Sequence, residues 1–292
     1  MSAQTRDRRA VRCVTRRSGV GILGCGRFGA FLARHLAKDF SVVVYDVLDR
    51  RAAARSAGAG WGSLEDVARC RWIVTAVPIG RLPEALAALA PRLAPSSVVV
   101  EVSSVKALPV RWLREILPSG TATVPTHPLF GPDSAARSLH GLPLVVCPLP
   151  EHVAAARRVS SFARSRGLRV VTLDAESHDR LMAETQALTF FLSRALNRLT
   201  LPNPAHLIST PSYRRLRRAL ASVALDTDEL YRDLVHFNPH AESFVGELTS
   251  AVLAERMALF DPASLAARSK LSQSLLIEEA VAIRSTSVGN PR

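Results

Sequence analysis

Residues 19–46 read GVGILGCGRFGAFLARHLAKDFSVVVYD, and this stretch decides the fold. Gly19 to Leu23 is a short apolar run suited to a buried first strand. It leads directly into Gly24-Cys25-Gly26-Arg27-Phe28-Gly29, a GxGxxG turn. Phe28 to Leu36 then places Phe28, Phe31, Leu32 and Leu36 at the spacing of one helix face. Ser41 to Tyr45 is a second apolar strand, and it ends in Asp46. Strand, glycine turn, helix, strand and acid, in that order, build a unit that lays a pyrophosphate on a helix N-terminus. Asp46 stands about 20 residues beyond the glycines, where a carboxylate accepts from ribose hydroxyls and repels a 2′-phosphate. The reading therefore favours NAD. Arg50 and Arg51 follow closely and could hold a phosphate instead, which keeps NADP open.

Strand-helix alternation continues past Asp46. Arg71 to Val77 is a strand closed by Pro78. Pro83 to Leu93 is a helix, Ser97 to Val102 a strand, and Ala107 to Leu117 a helix. Ala122 to Pro125 is a short strand that delivers His127. Leu144 to Cys147, a helix from Glu151 to Arg166, and Leu168 to Leu173 complete a doubly wound sheet. Ligands of such sheets lie beyond the carboxyl ends of the strands. Gly24, Asp46, Val77-Pro78, Ser103-Ser104 and His127 all fall at such ends.

Beyond residue 174 the strand signals stop, and the rest reads as helix: Glu176 to Leu199, Tyr213 to Ala224, Thr227 to Phe237, His240 to Phe260 and Pro262 to Ile283. Prolines punctuate the segments. The fold class is α/β: a Rossmann doubly wound sheet over residues 19–173, then an all-helical region over 174–292. The helices carry enough apolar surface to make this region a dimerisation domain. Residues 1–18, with Arg6, Arg8, Arg9, Arg12, Arg16 and Arg17 and no apolar core, read as a disordered extension.

The chain has 292 residues, 48% hydrophobic and 22% charged, with a net charge of +13. The charge invites a nucleic-acid reading. Yet Lys38, Lys106 and Lys270 are the only lysines; the other basic residues are arginines scattered over helices without interleaved aromatics. That pattern matches coding bias better than a binding face, so no nucleic acid is expected as partner. No apolar run approaches the roughly 18 residues of a membrane span. Cys13, Cys25, Cys70 and Cys147 show no CxxC and no metal spacing, which fits a reducing cytoplasm and no metal.

The stretch Thr126-His127-Pro128-Leu129-Phe130-Gly131-Pro132-Asp133 holds one histidine in a segment stiffened by prolines and a glycine. A stiff loop keeps a histidine in one place, as a general base requires. A turn residue capping a strand is the competing reading.

GILGCGRFG at 21–29, EVSSVK at 101–106, THPLFGPD at 126–133 and ESHDRLMAETQAL at 176–188 together resemble the prephenate and arogenate dehydrogenases. STPSYR at 209–214 and ELYRDL at 229–234 extend the resemblance over nearly the whole chain after residue 19. The resemblance implies a Rossmann domain, a helical dimerisation domain, and NAD(P)-dependent oxidative decarboxylation of a cyclohexadiene carboxylate to an aromatic product. It implies that His127 accepts the proton of the substrate hydroxyl and that Ser104 contacts the same hydroxyl. Gly24, Gly26, Arg27, Phe28, Gly29, Asp46, Val77, Pro78 and Ser103 line the cofactor. Lys106 reads either as a structural lysine or as a substrate contact. His178 and Asp179 read either as caps of their helix or as catalytic residues.

Two positions depart from the family pattern. Counting from His178, the place of a histidine facing the substrate side chain holds Phe190, with Thr189 beside it. Counting back from Tyr231, the place of a carboxylate-binding arginine holds Ser222. Arg218, one turn away on the same face, is the expected replacement, with Arg214 and Arg217 behind it. The departures open a second substrate, 4-amino-4-deoxyprephenate. Two readings outside this chemistry are a non-catalytic Rossmann regulator, against which His127 and Ser104 speak, and a 3-hydroxyacid or imine reductase. The latter lacks its glycine-rich substrate loop and catalytic lysine.

Overall fold

The computed structural model describes residues 19–199, 208–221 and 227–260. In chain order the first elements are β1 (Gly19–Leu23), α1 (Arg27–Leu36), β2 (Ser41–Tyr45), α2 (Arg51–Ser56), β3 (Gly60–Trp61), α3 (Leu64–Ala68) and β4 (Trp72–Thr75). Next come α4 (Leu82–Leu89), β5 (Val98–Glu101), α5 (Ala107–Ile116), β6 (Ala122–Pro128), β7 (Pro143–Val146), α6 (Val153–Ser165) and β8 (Arg169–Thr172). The eight strands form one sheet in the order β3-β2-β1-β4-β5-β6-β7-β8. Every pairing is parallel except β6 with β7.

Side chains alternate along each strand, so the sheet carries two separate cores. On one face Ile22, Val44, Val74, Val100 and Val146 pack with Ala33 of α1 and Ala156 and Ala163 of α6. On the other, Leu23, Ile73 and Val99 pack with Val67 of α3, Leu82, Leu86 and Leu89 of α4, and Leu113 of α5. Each of these buried valine, leucine and isoleucine side chains contributes about 1.5–3 kcal/mol relative to exposure. This two-sided burial explains why the strands read as continuous apolar runs.

The segment between Asp46 and Arg71 was given no element by sequence, because α2, β3 and α3 are too short to show a period. Ser63 makes the start of α3 legible in retrospect: it forms a capping box with Asp66, three residues on. A second difference concerns His127. It lies inside β6, not in a loop after it, because Thr126, His127 and Pro128 pair antiparallel with Val146, Val145 and Leu144.

The remaining elements are helical. The first long helix is α7 (Ala175–Met182), a π-helical turn over Ala183–Ala187, and α8 (Leu188–Asn197). Then come α9 (Pro211–Ala221), α10 (Asp228–His236) and α11 (Ala241–Phe260). The helix expected over Pro262–Ile283, the extension at 1–18 and Ser222 lie outside the described residues. By packing, the residues up to Ala241 form one compact unit and those from Glu242 another.

Candidate active site

The glycine turn is built as a cradle. Gly24 has φ +103, and a Cβ there would lie 2.5 Å from the Ala76 carbonyl oxygen. A Cβ on Gly29 would lie 2.1 Å from the Gly24 carbonyl oxygen, so α1 can approach the turn only with glycine there. A Cβ on Gly26 would meet nothing within 4 Å. Gly26, the N-cap of α1, provides no side-chain cap, so the first N–H groups of the helix remain open to an anion. These features fit a dinucleotide pyrophosphate.

Asp46 braces this turn. Its carboxylate accepts from the Cys25 N–H at 2.6 Å and from the Leu48 N–H at 2.9 Å. A carboxylate has about four acceptor positions, so a ribose diol can still be met, while a phosphate would face the charge. Burial, then the Asp46 charge, raises the Cys25 thiol pKa, leaving it a filler. Arg27 pairs with Asp133 of the HPLFGPD stretch at 2.6 Å, both exposed. Phe28 packs at 5.8 Å from Phe31 on α1. Val77 is half-buried and Pro78 exposed, at the end of β4.

His127 is the centre of a buried relay. Its Nδ1 lies 2.9 Å from His178 Nε2, and His178 Nδ1 lies 2.7 Å from Asp179 Oδ1. All three residues are buried. In the tautomer with a neutral His178 and its proton on Nδ1 toward Asp179, the His178 Nε2 accepts in turn. His127 must then donate from Nδ1, which leaves the lone pair on its Nε2 free. Burial, then His178, then Lys106 hold the His127 pKa well below 6.5, so the ring is neutral.

Asp179 does not cap its own helix; Asp174 does, accepting from the Ser177 N–H at 2.8 Å. Asp179 instead caps α5, accepting from the N–H groups of Lys106 at 2.7 Å and Ala107 at 2.8 Å. Asn238, just after α10, donates to the Asp179 carbonyl at 2.8 Å. The relay is thereby clamped from the sheet side and from the helical side.

Lys106 is structural. Its buried ammonium is ion-paired with the equally buried Glu101 and donates to the Thr126 carbonyl at 2.7 Å. It thus ties the end of β5 to the strand that carries His127. Glu101, which sequence reasoning missed, also takes the hydroxyl and N–H of Ser103. The Ser103 hydroxyl is accordingly spent on the protein. Ser104 is half-buried at the bend between them.

Phe190 is buried and stacks on Tyr231, with ring planes 10° apart, in a cluster with Leu234 and Ala241. Arg194 sits over the same tyrosine at 4.4 Å. Thr189 donates to the Thr185 carbonyl one turn back. Arg214, Arg217 and Arg218 are all exposed on α9, and among the described residues none is bonded to the His127 cluster. Arg218, the expected substrate anchor, thus makes no contact with that cluster among the described residues. Gln186, in the π-helical turn, has a buried Oε1 without a hydrogen-bond partner among the described residues.

A parallel sheet with a glycine cradle at one strand end and a clamped histidine at another defines a Rossmann-type dinucleotide-binding protein. A family model described as "Prephenate dehydrogenase, nucleotide-binding domain" matches residues 30–172. The chain is 29% identical over 251 residues to arogenate dehydrogenase 2, chloroplastic, of Arabidopsis thaliana, covering 82% of this chain and 70% of that protein. It is 31% identical over 174 residues to a 4-amino-4-deoxyprephenate dehydrogenase of Streptomyces pristinaespiralis, covering 58% and 57%. A solved structure of prephenate dehydrogenase from A. aeolicus, in complex with hydroxyphenyl propionate and NAD+, superposes with TM-score 0.68. That match covers 94% of this chain and 100% of the other at 18% identity, a likeness of fold. Residues 30–172 thus belong to the prephenate dehydrogenase nucleotide-binding family. The chain spans 36–70% of the length of the curated relatives it matches.

Proposed function

We propose that the protein catalyses NAD-dependent oxidative decarboxylation of a prephenate-like cyclohexadiene carboxylate to an aromatic product, with prephenate to 4-hydroxyphenylpyruvate as the leading case. The observation that carries the reading is the relay, which leaves a neutral His127 with one free acceptor nitrogen. Bound NAD supplies the two-electron acceptor. As the ring carbon bearing the hydroxyl is oxidised, its O–H becomes acidic, and His127 Nε2 takes that proton. Ser104, whose hydroxyl is free among the described residues, holds the same oxygen. The opposite ring carbon loses CO2 and leaves its electron pair in the ring. His127 returns the proton to the phenolate, so no net proton is consumed.

The second reading is the amino analogue, 4-amino-4-deoxyprephenate. Two observations favour it: the depressed basicity of His127, and Phe190 where the family pattern has a histidine. An amine lone pair assists oxidation of its own carbon, so this substrate asks less of a base. Gln186, roughly two turns or about 12 Å along the helix from His178, is proposed to meet the far end of either substrate through its side-chain NH2, which donates to a carboxylate or ketone oxygen.

The helical region after residue 174 is proposed to mediate a homodimer. Val252, Leu253, Met257 and Phe260 of α11 are all more than half exposed, an apolar surface that a second chain would cover. No helix among the described residues is long and apolar enough to cross a membrane.

The deciding assay offers prephenate, arogenate and 4-amino-4-deoxyprephenate with NAD and NADP and compares kcat/KM. Turnover of at least one with reduction of the cofactor is expected. Turnover of none would remove the proposal.

A further inference from the structure

A cavity of about 960 Å³ lies on the face of the sheet opposite the relay. Alternation along β6 turns Thr126 and Pro128 toward it and His127 away, and both Thr126 and Pro128 line it. Its floor is apolar sheet, with Val20, Val74, Val100 and Leu144. Its walls are α1, with Phe31 and His35, and α6, with Val159 and Phe162. Phe130 and Leu139, from the segment linking β6 to β7, close it partway. Of the residues that line the glycine cradle only Arg27 touches it, so it is a separate site.

The charges around it are one-sided. Arg34, Lys38, Arg137 and Arg158 line it, are exposed, and have no carboxylate partner among the described residues. Asp39 is the only acid there, and it is ion-paired with Arg166. The second Asp39 oxygen is buried with no hydrogen-bond partner among the described residues. A pocket of this size falls in the range of small-molecule sites. An apolar floor under a cationic rim selects a ligand with a hydrophobic body and an anionic head.

We propose that this cavity is a second ligand site, which takes a small amphipathic carboxylate. Its body lies on the sheet, its carboxylate sits among Arg34, Lys38, Arg137 and Arg158, and a hydroxyl or ammonium donor on it meets Asp39.

The test uses the full chain with saturating NAD, and a brominated undecanoate as probe, since bromine quenches tryptophan fluorescence at short range. Trp72 lines the cavity, so saturable quenching is expected, and Trp72→Phe should abolish it. Reversing three exposed rim charges, Arg34→Glu, Lys38→Glu and Arg137→Glu together, should weaken binding by about tenfold or more. The brominated alcohol of the same length should bind weaker by a similar factor. Quenching that survives Trp72→Phe, that ignores the charge reversal, or that the alcohol reproduces equally well overturns the proposal. So does quenching that appears only when NAD is left out, which would place the probe in the cofactor cradle.

Discussion

His178 Nε2 lies 2.9 Å from His127 Nδ1, and this contact decides which nitrogen of His127 is available to a substrate. When a neutral His178 turns its Nδ1–H to Asp179, the arrangement without two facing protons leaves His127 Nε2 as acceptor. His127→Asn should cut kcat by about 10²–10⁴-fold, the value of a positioned base. His178→Phe keeps the base but frees its tautomer and ring orientation, so a loss of about 10–100-fold is expected. NAD affinity, measured by titration calorimetry, should be unchanged in both. Full turnover in His178→Phe would show that the relay is only packing.

The pH profile follows from the same burial. His127 is held well below 6.5, by burial first and then by His178 and Lys106. The reactive form is neutral, so kcat should stay flat as pH falls through 6.5 and drop only well below it. The linkage sign agrees: a histidine with a depressed folded pKa contributes its full stability above the unfolded value, about 6.5. That stability is lost as pH falls below it, because the unfolded chain then binds the proton more readily. An acid limb of kcat at or above 6.5, in a pH-rate series, would mean that the ring is not desolvated as described.

What was legible in sequence was local. The GxGxxG turn, the strand before it and Asp46 lie within 28 residues (Gly19 to Asp46), and each carries its own steric reason. The site was legible as a set of strand ends but not as a set of contacts. Asp179 meets Lys106 across 73 positions, and His178 meets His127 across 51. No periodicity encodes that α7 lends its acid to cap α5. The antiparallel return of β7 also left no mark, so His127 read as a loop residue. The π-helical turn is likewise silent in sequence, yet it sets the angle at which Gln186 and Phe190 leave the helix.

Asp46 is the residue predicted to set cofactor choice. Its charge sits at the end of β2 and already steadies the turn through Cys25. A 2′-phosphate brought there would meet a carboxylate, so NAD should exceed NADP by about tenfold or more in kcat/KM. Asp46→Ser should narrow the gap. It should also raise KM for NAD, because the Cys25 N–H loses its acceptor. A wild-type preference for NADP would show that Arg50 and Arg51 outweigh Asp46.

The substrate carboxylate poses the sharpest question, and magnitudes separate the answers. An arginine paired with a carboxylate in a dry site is worth about 2–5 kcal/mol when truncated, more than tenfold in KM. An exposed guanidinium that meets the same charge through water is worth about 0.2–1 kcal/mol. Arg218 is exposed on α9, as are Arg214 and Arg217, and Arg214 also hydrogen-bonds the Ser209 carbonyl. Arg218→Ala should therefore raise KM by about fivefold or less, with kcat unchanged. A rise beyond about tenfold would restore Arg218 as the anchor and show that α9 turns inward when substrate binds. Should the small effect be found, Gln186→Leu becomes the informative variant. Loss of a buried amide that contacts substrate would raise KM while leaving thermal stability intact or improved, because its Oε1 has no hydrogen-bond partner among the described residues.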